Sequence, residues 1–507
     1  MKKTSYHITR SLTLSAFAMG AAGVVHAQYA PPPPPAPFAG FLNEYLRKND
    51  PYMNQWDFGG NARFRYEVKE GMAIQGVKTS LDFRARGGDV TDEYSMERIR
   101  FHAGYTQKWW SVYAEGRSSL EQNDERFAYA NNPAVPGTFK TKGDGPEADV
   151  LDLHQAYVTI GNHKEFPLSL KIGRQEMIYG EERLVGAFGW NNIGRVFDAA
   201  KLRWQNEWFG ADFFTSRPVI PEDGRFNVAN DYDWFSGMYA TSTKIPKHLL
   251  DVYFFSRNSS SKAIDAEPRP QFPQPSARDI YTIGGRFKSQ PGQVGNWDYS
   301  VEGAYQFGDY RDRRLGVSSP RLKQDAFMAV LQGGYTFADA WATPRLGAEY
   351  SYSSGDSNPH DGTHGTFDNL FPTNHKFYGY MDFISLQNIQ DVRGIFQLKP
   401  TSRVSLAIEG HGFWLANTHD NFYNVGGAPR GGLGTTPGTG YGINPTYSAF
   451  VGTELDAIAG IAVTRFAQLE FGYGHFFVGD YIKQSLSAPT VGSRDADYIY
   501  AQATVNF

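Results

Sequence analysis

The chain contains no cysteine in 507 residues. That absence excludes disulfides, thiolate metal sites, cysteine nucleophiles and a lipidated N-terminal cysteine. Long apolar runs are also missing. Mean hydropathy is −0.47, and beyond the N-terminal segment nothing approaches the roughly 20 apolar residues of a spanning helix. Positive charge is not in surplus either. The formal charge is −4, and loss of Lys2, Lys3 and Arg10 with a leader would take it to −7, which argues against nucleic-acid binding as the main role.

What is present is alternation. In residues 495–507, Ile499, Ala501, Ala503, Val505 and Phe507 share one face of a strand, and Tyr498, Tyr500, Gln502, Thr504 and Asn506 share the other. One face suits lipid and the other water. A strand that ends the chain on Phe resembles the closing strand of bacterial outer-membrane barrels. A barrel hides its apolar residues by such alternation, which reconciles low hydropathy with a membrane location. Aromatic content of 15%, 54 glycines and 30 tyrosines suit the same architecture, although they also suit a soluble β-rich protein.

The N-terminus agrees. Lys2, Lys3 and Arg10 precede a small apolar run, and Val25-His26-Ala27 forms a small-x-small cleavage site. We expect residues 1–27 to be a signal peptide. Residues 28–55 form a Pro-rich periplasmic segment, with a polyproline II tether at 30–37 and a short helix over 38–49 ended by Asp50-Pro51. Residues 56–507 form the barrel, without a domain boundary or solenoid repeat.

Connections along 56–507 alternate between short and long. Short ones fall near Gln107-Lys108, 161–167, Asn206-Glu207, 244–248, 289–296, 338–342, Pro400-Thr401 and Arg465-Phe466. Between them lie polar, Gly/Pro-rich stretches such as 119–149, 258–278, 354–388 and 416–448. Short periplasmic turns and long extracellular loops are the pattern of outer-membrane barrels; with both ends in the periplasm, eight short turns require nine long loops, hence about eighteen antiparallel strands. Trp56, Trp109, Trp110, Trp204, Trp208, Trp297 and Trp341 fall at the short-turn ends, as an interfacial aromatic belt requires.

In a wide barrel the inward face of each strand is the functional surface. Placing the more apolar set outward turns Arg63, Arg65, Arg98, Arg100, Arg117, Lys171, Lys201, Arg203, Arg257, Arg286, Lys288, Arg345, Arg393 and Arg403 inward. The same rule turns in Glu67, Glu115, Asp212, Asp251, Glu302, Glu349, Glu409, Glu454, Asp456 and Glu470. The lumen is mixed, with a modest basic surplus. It reads as a pathway for an anionic solute, because the guanidinium fork binds carboxylates bidentately and keeps its charge. A self-neutralising Arg/Glu ladder that stiffens the wall reads equally well from pattern alone.

Other chemistry is weakly signalled. His360, His364 and His375 with Asp356, Asp361 and Asp368 share one loop, but their spacing matches no tight metal motif. No metal and no cofactor are expected. No Gly-x-Ser-x-Gly elbow occurs, and the Gly-rich stretch 426–442 lacks the ending of a phosphate loop; it reads as flexible loop. An enzyme is not expected, and an outer-membrane barrel hydrolase is kept as an alternative.

The block Gly173-Arg174-Gln175-Glu176, continued by residues 179–186, Trp190-Asn191-Asn192 and 194–198, resembles the alginate export porin family of outer membranes. Further matching blocks are 371–379, 452–456, 472–477 and Gly479-Asp480-Tyr481. The resemblance implies a monomeric eighteen-stranded barrel with an arginine-rich constriction that passes anionic polysaccharide from periplasm to exterior. It implies that Arg174, Glu176, Arg183, Arg195 and Asp198 belong to the constriction or an occluding loop. Strand alternation points Arg174 outward, so either its strand ends there or it only anchors the loop. The expected setting is the outer membrane of a Gram-negative bacterium, among lipid and lipopolysaccharide, with a periplasmic export partner and no nucleic acid. The expected activity is passive diffusion of alginate-like polyuronate or acidic oligosaccharides. The alternatives are a general or small-carboxylate porin, the barrel hydrolase, and a plugged structural protein.

Overall fold

A computed structural model describes residues 40–72, 81–88, 90–124, 146–221, 226–260, 277–311, 320–431 and 435–507. The expected signal peptide and the polyproline tether lie outside them. Eighteen long strands follow in order: β1 (Trp56–Glu70), β2 (Thr91–Thr106), β3 (Trp110–Gln122), β4 (Asp149–Gly161), β5 (Leu168–Gln175), β6 (Phe197–Gln205), β7 (Gly210–Ile220), β8 (Asp233–Ser242) and β9 (His248–Ser259). The second half comprises β10 (Ala277–Ser289), β11 (Trp297–Arg311), β12 (Leu322–Thr336), β13 (Arg345–Ser353), β14 (Ile389–Thr401), β15 (Val404–Leu415), β16 (Phe450–Ala462), β17 (Ala467–Val478) and β18 (Ala496–Asn506). Two-residue strands at Val228–Ala229 and Thr363–His364 decorate loops.

Each long strand pairs antiparallel with its sequence neighbours, and β18 returns to β1 from Asn61↔Asn506 to Glu70↔Asp497. The ladder is therefore closed and leaves no edge. The chain is an antiparallel β-barrel of eighteen strands. No helix among the described residues is long and apolar enough to cross a membrane.

Alternation sets the two faces as the sequence predicts. On β18, Tyr498 and Tyr500 are 2% exposed while Ile499 between them is 52% exposed. All eight short turns fall where expected, with one shift: Pro400 and Thr401 stay in β14, and the turn is Ser402-Arg403. Trp56, Trp109, Trp110, Trp204, Trp208, Trp297 and Trp341 sit exposed at the short-turn rim.

The expected N-terminal helix is α1 (Phe41–Asn49). It stops before Pro51, and Asp50 accepts a hydrogen bond from the Tyr52 amide. Asn43 binds Asp57 and accepts from the Phe58 amide, while Phe41 packs edge-on against Phe466. α1 thus lies across the seam between β1 and β18 at the short-turn rim. A second helix, α2 (Asp480–Ser485), buries Tyr481 and Ile482 in the last long loop.

Candidate functional site: two charged walls and the loops between them

The inward faces of β1, β2 and β3 form a wall of arginines. Arg63 lies directly opposite Arg98, and Arg100 opposite Arg117. Like charges in register repel, so this wall needs counter-groups. The long loop between β5 and β6 supplies them by folding into the lumen. Arg63 donates to Gly189 O and to Asn192 Oδ1, both at 3.1 Å. Arg98 donates to Gly189 O at 3.1 Å and to Asn191 O at 3.2 Å. Arg65 donates to Trp190 O at 2.9 Å, lies over the Trp190 ring and pairs with Glu67 at 2.7 Å. Arg117 reaches Ile193 O at 2.8 Å and pairs with Asp149. Backbone carbonyl oxygens thus accept the guanidinium hydrogens of this wall.

Arg100 pairs with Glu176 at 3.0 Å, and Glu115 lies 3.9 Å away. His154 stands beside them because β4 bulges: the ladder runs Glu115↔Gln155 and then Gly116↔Leu153, skipping His154 and turning its ring inward. An arginine can only donate, so His154 Nδ1 accepts from Arg117 at 3.0 Å and Nε2–H donates to Glu176 at 2.9 Å. Burial alone would push the Glu176 carboxyl up, but the His154 hydrogen bond and the Arg100 charge hold it down at about 2.

The wall from β13 to β16 is acidic. Arg393 pairs with Glu409, and His411 Nδ1 lies 3.0 Å from Asp391. Glu454 and Asp456 are fully buried. The loop between β13 and β14 also folds inward and meets this wall with donors. The Met381 amide donates to Glu454 at 2.9 Å and the Tyr380 amide to Asp456 at 3.4 Å. This approach needs Gly379, whose φ is +89° and where a Cβ would stand 2.4 Å from the Glu454 carboxylate. The two loops therefore turn carbonyl oxygens toward the basic wall and amide hydrogens toward the acidic one.

Cross-lumen ties complete the arrangement. Arg183, in the β5–β6 loop, reaches Glu349 on β13 at 3.0 Å, Tyr378 Oη at 2.9 Å and the Phe377 ring at 4.0 Å, with Glu302 at 3.9 Å. Glu181 binds Lys288 and lies 3.4 Å from Arg286, which pairs with Asp251. The Glu181 carboxyl is lowered: burial would raise it, and the Lys288 and Arg286 charges outweigh that.

The sequence-derived site residues do not all meet in one place. Arg63, Arg65, Arg98, Arg100, Arg117, Glu115 and Glu176 gather on the basic wall, and Arg183, Glu302 and Glu349 across from it. Arg286 belongs to the β9–β10 wall; Arg393 and Glu454 line the acidic wall. Arg203 pairs with Asp212 at 2.9 Å and Arg345 with Asp298 at 2.5 Å, both near the short-turn rim. Arg195 stays in the β5–β6 loop and donates to Pro372 O at 2.8 Å.

Three expectations are corrected. Arg403 is exposed in the Ser402-Arg403 turn and does not line the lumen, because β14 extends further than the pattern suggested. Arg174 and Asp198 are cross-strand partners on the outward face, 2.8 Å apart, and Arg174 also donates to Asn227 O at 2.9 Å. They anchor the loop ends from outside and are not part of the constriction. Gly173 holds this junction: its φ is +129°, and a Cβ would meet Ala156 O at 2.2 Å.

The loop histidines also separate. His364 stacks on Tyr310, His375 stacks on Trp190, and Asp368 pairs with Arg278 at 2.6 Å. No group of metal-ligating side chains gathers among the described residues. Residues that pattern reasoning missed are His154, hidden by the bulge, and Glu181, Glu182, Trp190 and Lys376, which sit in loops without periodicity. All but His154 fall in the blocks that carry the family resemblance.

A family model described as alginate export matches residues 54–490. No curated protein matches the chain. Among solved structures, Acinetobacter baumannii OccAB1 aligns with a TM-score of 0.53 at 9% identity, covering 89% of this chain and 97% of that one. Pseudomonas aeruginosa OpdK with vanillate gives 0.51 at 10%, covering 89% and 98%. Pseudomonas aeruginosa OccK2 (OpdF) in complex with glucuronate gives 0.50 at 10%, also covering 89% and 98%. At these identities the likeness is one of fold.

Proposed function

This chain belongs to the alginate export family, an outer-membrane porin barrel, and we propose that its solute is an anionic polyuronate or acidic oligosaccharide moving by passive diffusion along the basic wall. The carrying observation is the row Arg63, Arg65, Arg98, Arg100 and Arg117, four of which donate to loop carbonyls. Carboxylates of a passing uronate take the place of those oxygens one after another. Conduction needs several weak sites rather than one tight one, and arginines spread over three strands meet that need. The family match supports a transport channel rather than an enzyme, and passage of this kind requires no covalent step.

In this reading the short-turn rim, which carries α1 and both ends of the barrel, faces the periplasm. The long loops face outward amid lipopolysaccharide. The barrel works as a monomer and receives its solute from a periplasmic export partner.

The test is single-channel recording of the full mature chain in planar bilayers under a salt gradient. Oligouronate and a neutral oligosaccharide are added in turn. Anion-selective steps blocked by the uronate alone are the expected result; conductance without selectivity or block would overturn it.

A second reading is diffusion of small carboxylates. It draws on the filling of the lumen by two loops, and on barrels of similar fold solved with glucuronate and with vanillate. Currents carried by glucuronate monomer without block by the polymer would favour it.

A further inference from the structure

Two kinds of contact hold the lumen loops. Between the loops they are mainly backbone hydrogen bonds and stacked rings, with one ion pair, Lys376 to Glu182. Val185 and Phe371 form a parallel bridge. The Gly186 amide donates to Phe371 O at 2.9 Å, the Phe371 amide to Leu184 O at 3.0 Å, and the Thr373 amide to Glu182 O at 2.9 Å. Thr373 Oγ1 donates to Glu182 at 2.8 Å and accepts from the Phe188 amide at 3.1 Å. Trp190 lies flat on His375, with centroids 3.9 Å apart and planes 11° apart. Leu184, Val185, Phe371 and Phe377 share one buried cluster, and in it Phe371 also packs edge-on against Phe197 of β6 at 5.2 Å and Phe235 of β8 at 4.9 Å, an apolar seat apart from the charged walls.

Between the loops and the two charged walls, by contrast, most contacts end on charged side chains: Arg63, Arg65, Arg98 and Arg117 on one side, Glu349, Glu454 and Asp456 on the other; the uncharged ones are the Asn192 bonds to Glu97 O, Leu120 O and Ser119 and the packing of Trp190 against Tyr500. Ions in a wet lumen compete for charged groups and screen them, whereas buried backbone pairs and stacked rings offer an ion nothing to replace. The backbone at the segment ends is also distinctive. Gly180 (φ +60°) and Gly194 (φ +80°) bracket one segment, and Leu370 (φ +53°) and Asp382 (φ +58°) bracket the other. Left-handed positions like these are where a segment can pivot.

We propose that residues 181–193 and 371–381 form one body, and that the pore opens by freeing this body from its two charged walls as a unit, with the loops still zipped at Val185 and Phe371. The inference requires only a conducting pore and holds whichever anion travels.

The lack of native cysteine gives a clean test. Neighbouring strands lie about 4.8 Å apart, a spacing at which bridge partners can form a disulfide. Full-length V185C/F371C and S119C/N192C chains are recorded in KCl under voltage, oxidised and then reduced with dithiothreitol. The second pair ties the loop to β3, where Ser119 Oγ donates to Asn192 O at 2.7 Å. Oxidised V185C/F371C should open like the wild type, while oxidised S119C/N192C should stay shut until reduced. Openings lost on oxidising V185C/F371C and restored on reduction would overturn the proposal, as would a wild-type barrel that never opens.

Should the V185C/F371C chain not assemble, hydrogen exchange of the wild type decides. Rising KCl should strip protection from the Tyr380 and Met381 amides and leave it at Gly186, Phe371 and Thr373. Early loss at Gly186 and Phe371 would mean that the loops part first.

Discussion

Removing the charge of Arg183 should open the pore. Its side chain is 2% exposed and joins the β5–β6 loop to Glu349 across the lumen at 3.0 Å. Arg183→Met keeps apolar bulk over Phe377 and deletes the pair. Breaking a buried ion pair from one side costs about 3–5 kcal/mol, because the remaining charge is stranded. Glu349 still accepts from Gln332 at 2.7 Å and Ser351 at 3.1 Å, which places the loss at the lower end, about 3 kcal/mol.

The loss falls on the closed arrangement alone, since a freed Arg183 would be solvated. About 3 kcal/mol is roughly a hundredfold in the closed-to-open ratio. Single-channel open probability should therefore rise on that scale. The β-ladder makes no use of Arg183, so the folded barrel should keep its heat-modifiable migration on gels. Adding Glu349→Gln removes the stranded charge and should reverse part of the effect, as coupled neighbours do. An open probability within about fivefold of wild type in an intact R183M barrel would show that the tie carries little of the closing free energy.

Neutralising the basic wall with R98Q/R100Q should lower anion selectivity, and unchanged reversal potentials would refute the wall's role. Ala503 faces outward between Phe64 and Leu469; Ala503→Arg should cost about 2–4 kcal/mol if near the midplane and reduce assembly into urea-resistant barrel, while Thr504→Arg on the inner face should assemble. The amide of Asp356 donates to Asp420, joining two long loops at 3.0 Å. Burial, with Asp420 and Asp361 nearby, outweighs the Asn358 amide and raises the Asp356 carboxyl to about 6. A raised carboxyl stabilises the junction fully below its ordinary value near 4 and loses that contribution as pH rises through about 6. The protection factor of the Asp356 amide, with the intrinsic pH dependence of exchange divided out, should therefore fall between pH 4 and 7 in the wild type and stay level in Asp356→Asn.

How much of this was legible follows from where periodicity exists. Within strands each side chain has two possible faces, so one apolar neighbour decides the direction; Ile99 between Arg98 and Arg100 was enough to turn both inward. Turn composition fixed the strand count in the same way. Arg403 failed because the pattern does not say where β14 stops, and His154 stayed hidden because a bulge breaks the alternation that would have revealed it. Arg174 was readable by parity as an outward residue, and its bond to Asp198 bears out parity over the role implied by resemblance.

The loops carry no period, and their partners are distant in sequence: Glu182 meets Lys376, and Val185 meets Phe371. Nothing local encodes these pairs. Yet the walls alone pose a question that only something in the lumen can answer. Arg63 opposite Arg98 and Arg100 opposite Arg117 put like charges in register on one inner face; Asp149 of β4 answers Arg117, but an empty lumen would leave Arg63 and Arg98 to water and counter-ions. Glu454 and Asp456 crowd together on the far side. Filling the space with backbone, carbonyls toward the arginines and amides toward the carboxylates, satisfies hydrogen bonds on both walls with uncharged groups. Uncharged dipoles bind charged groups more weakly than a carboxylate does, so in the proposed function an anion competes with the loop carbonyls for these arginines.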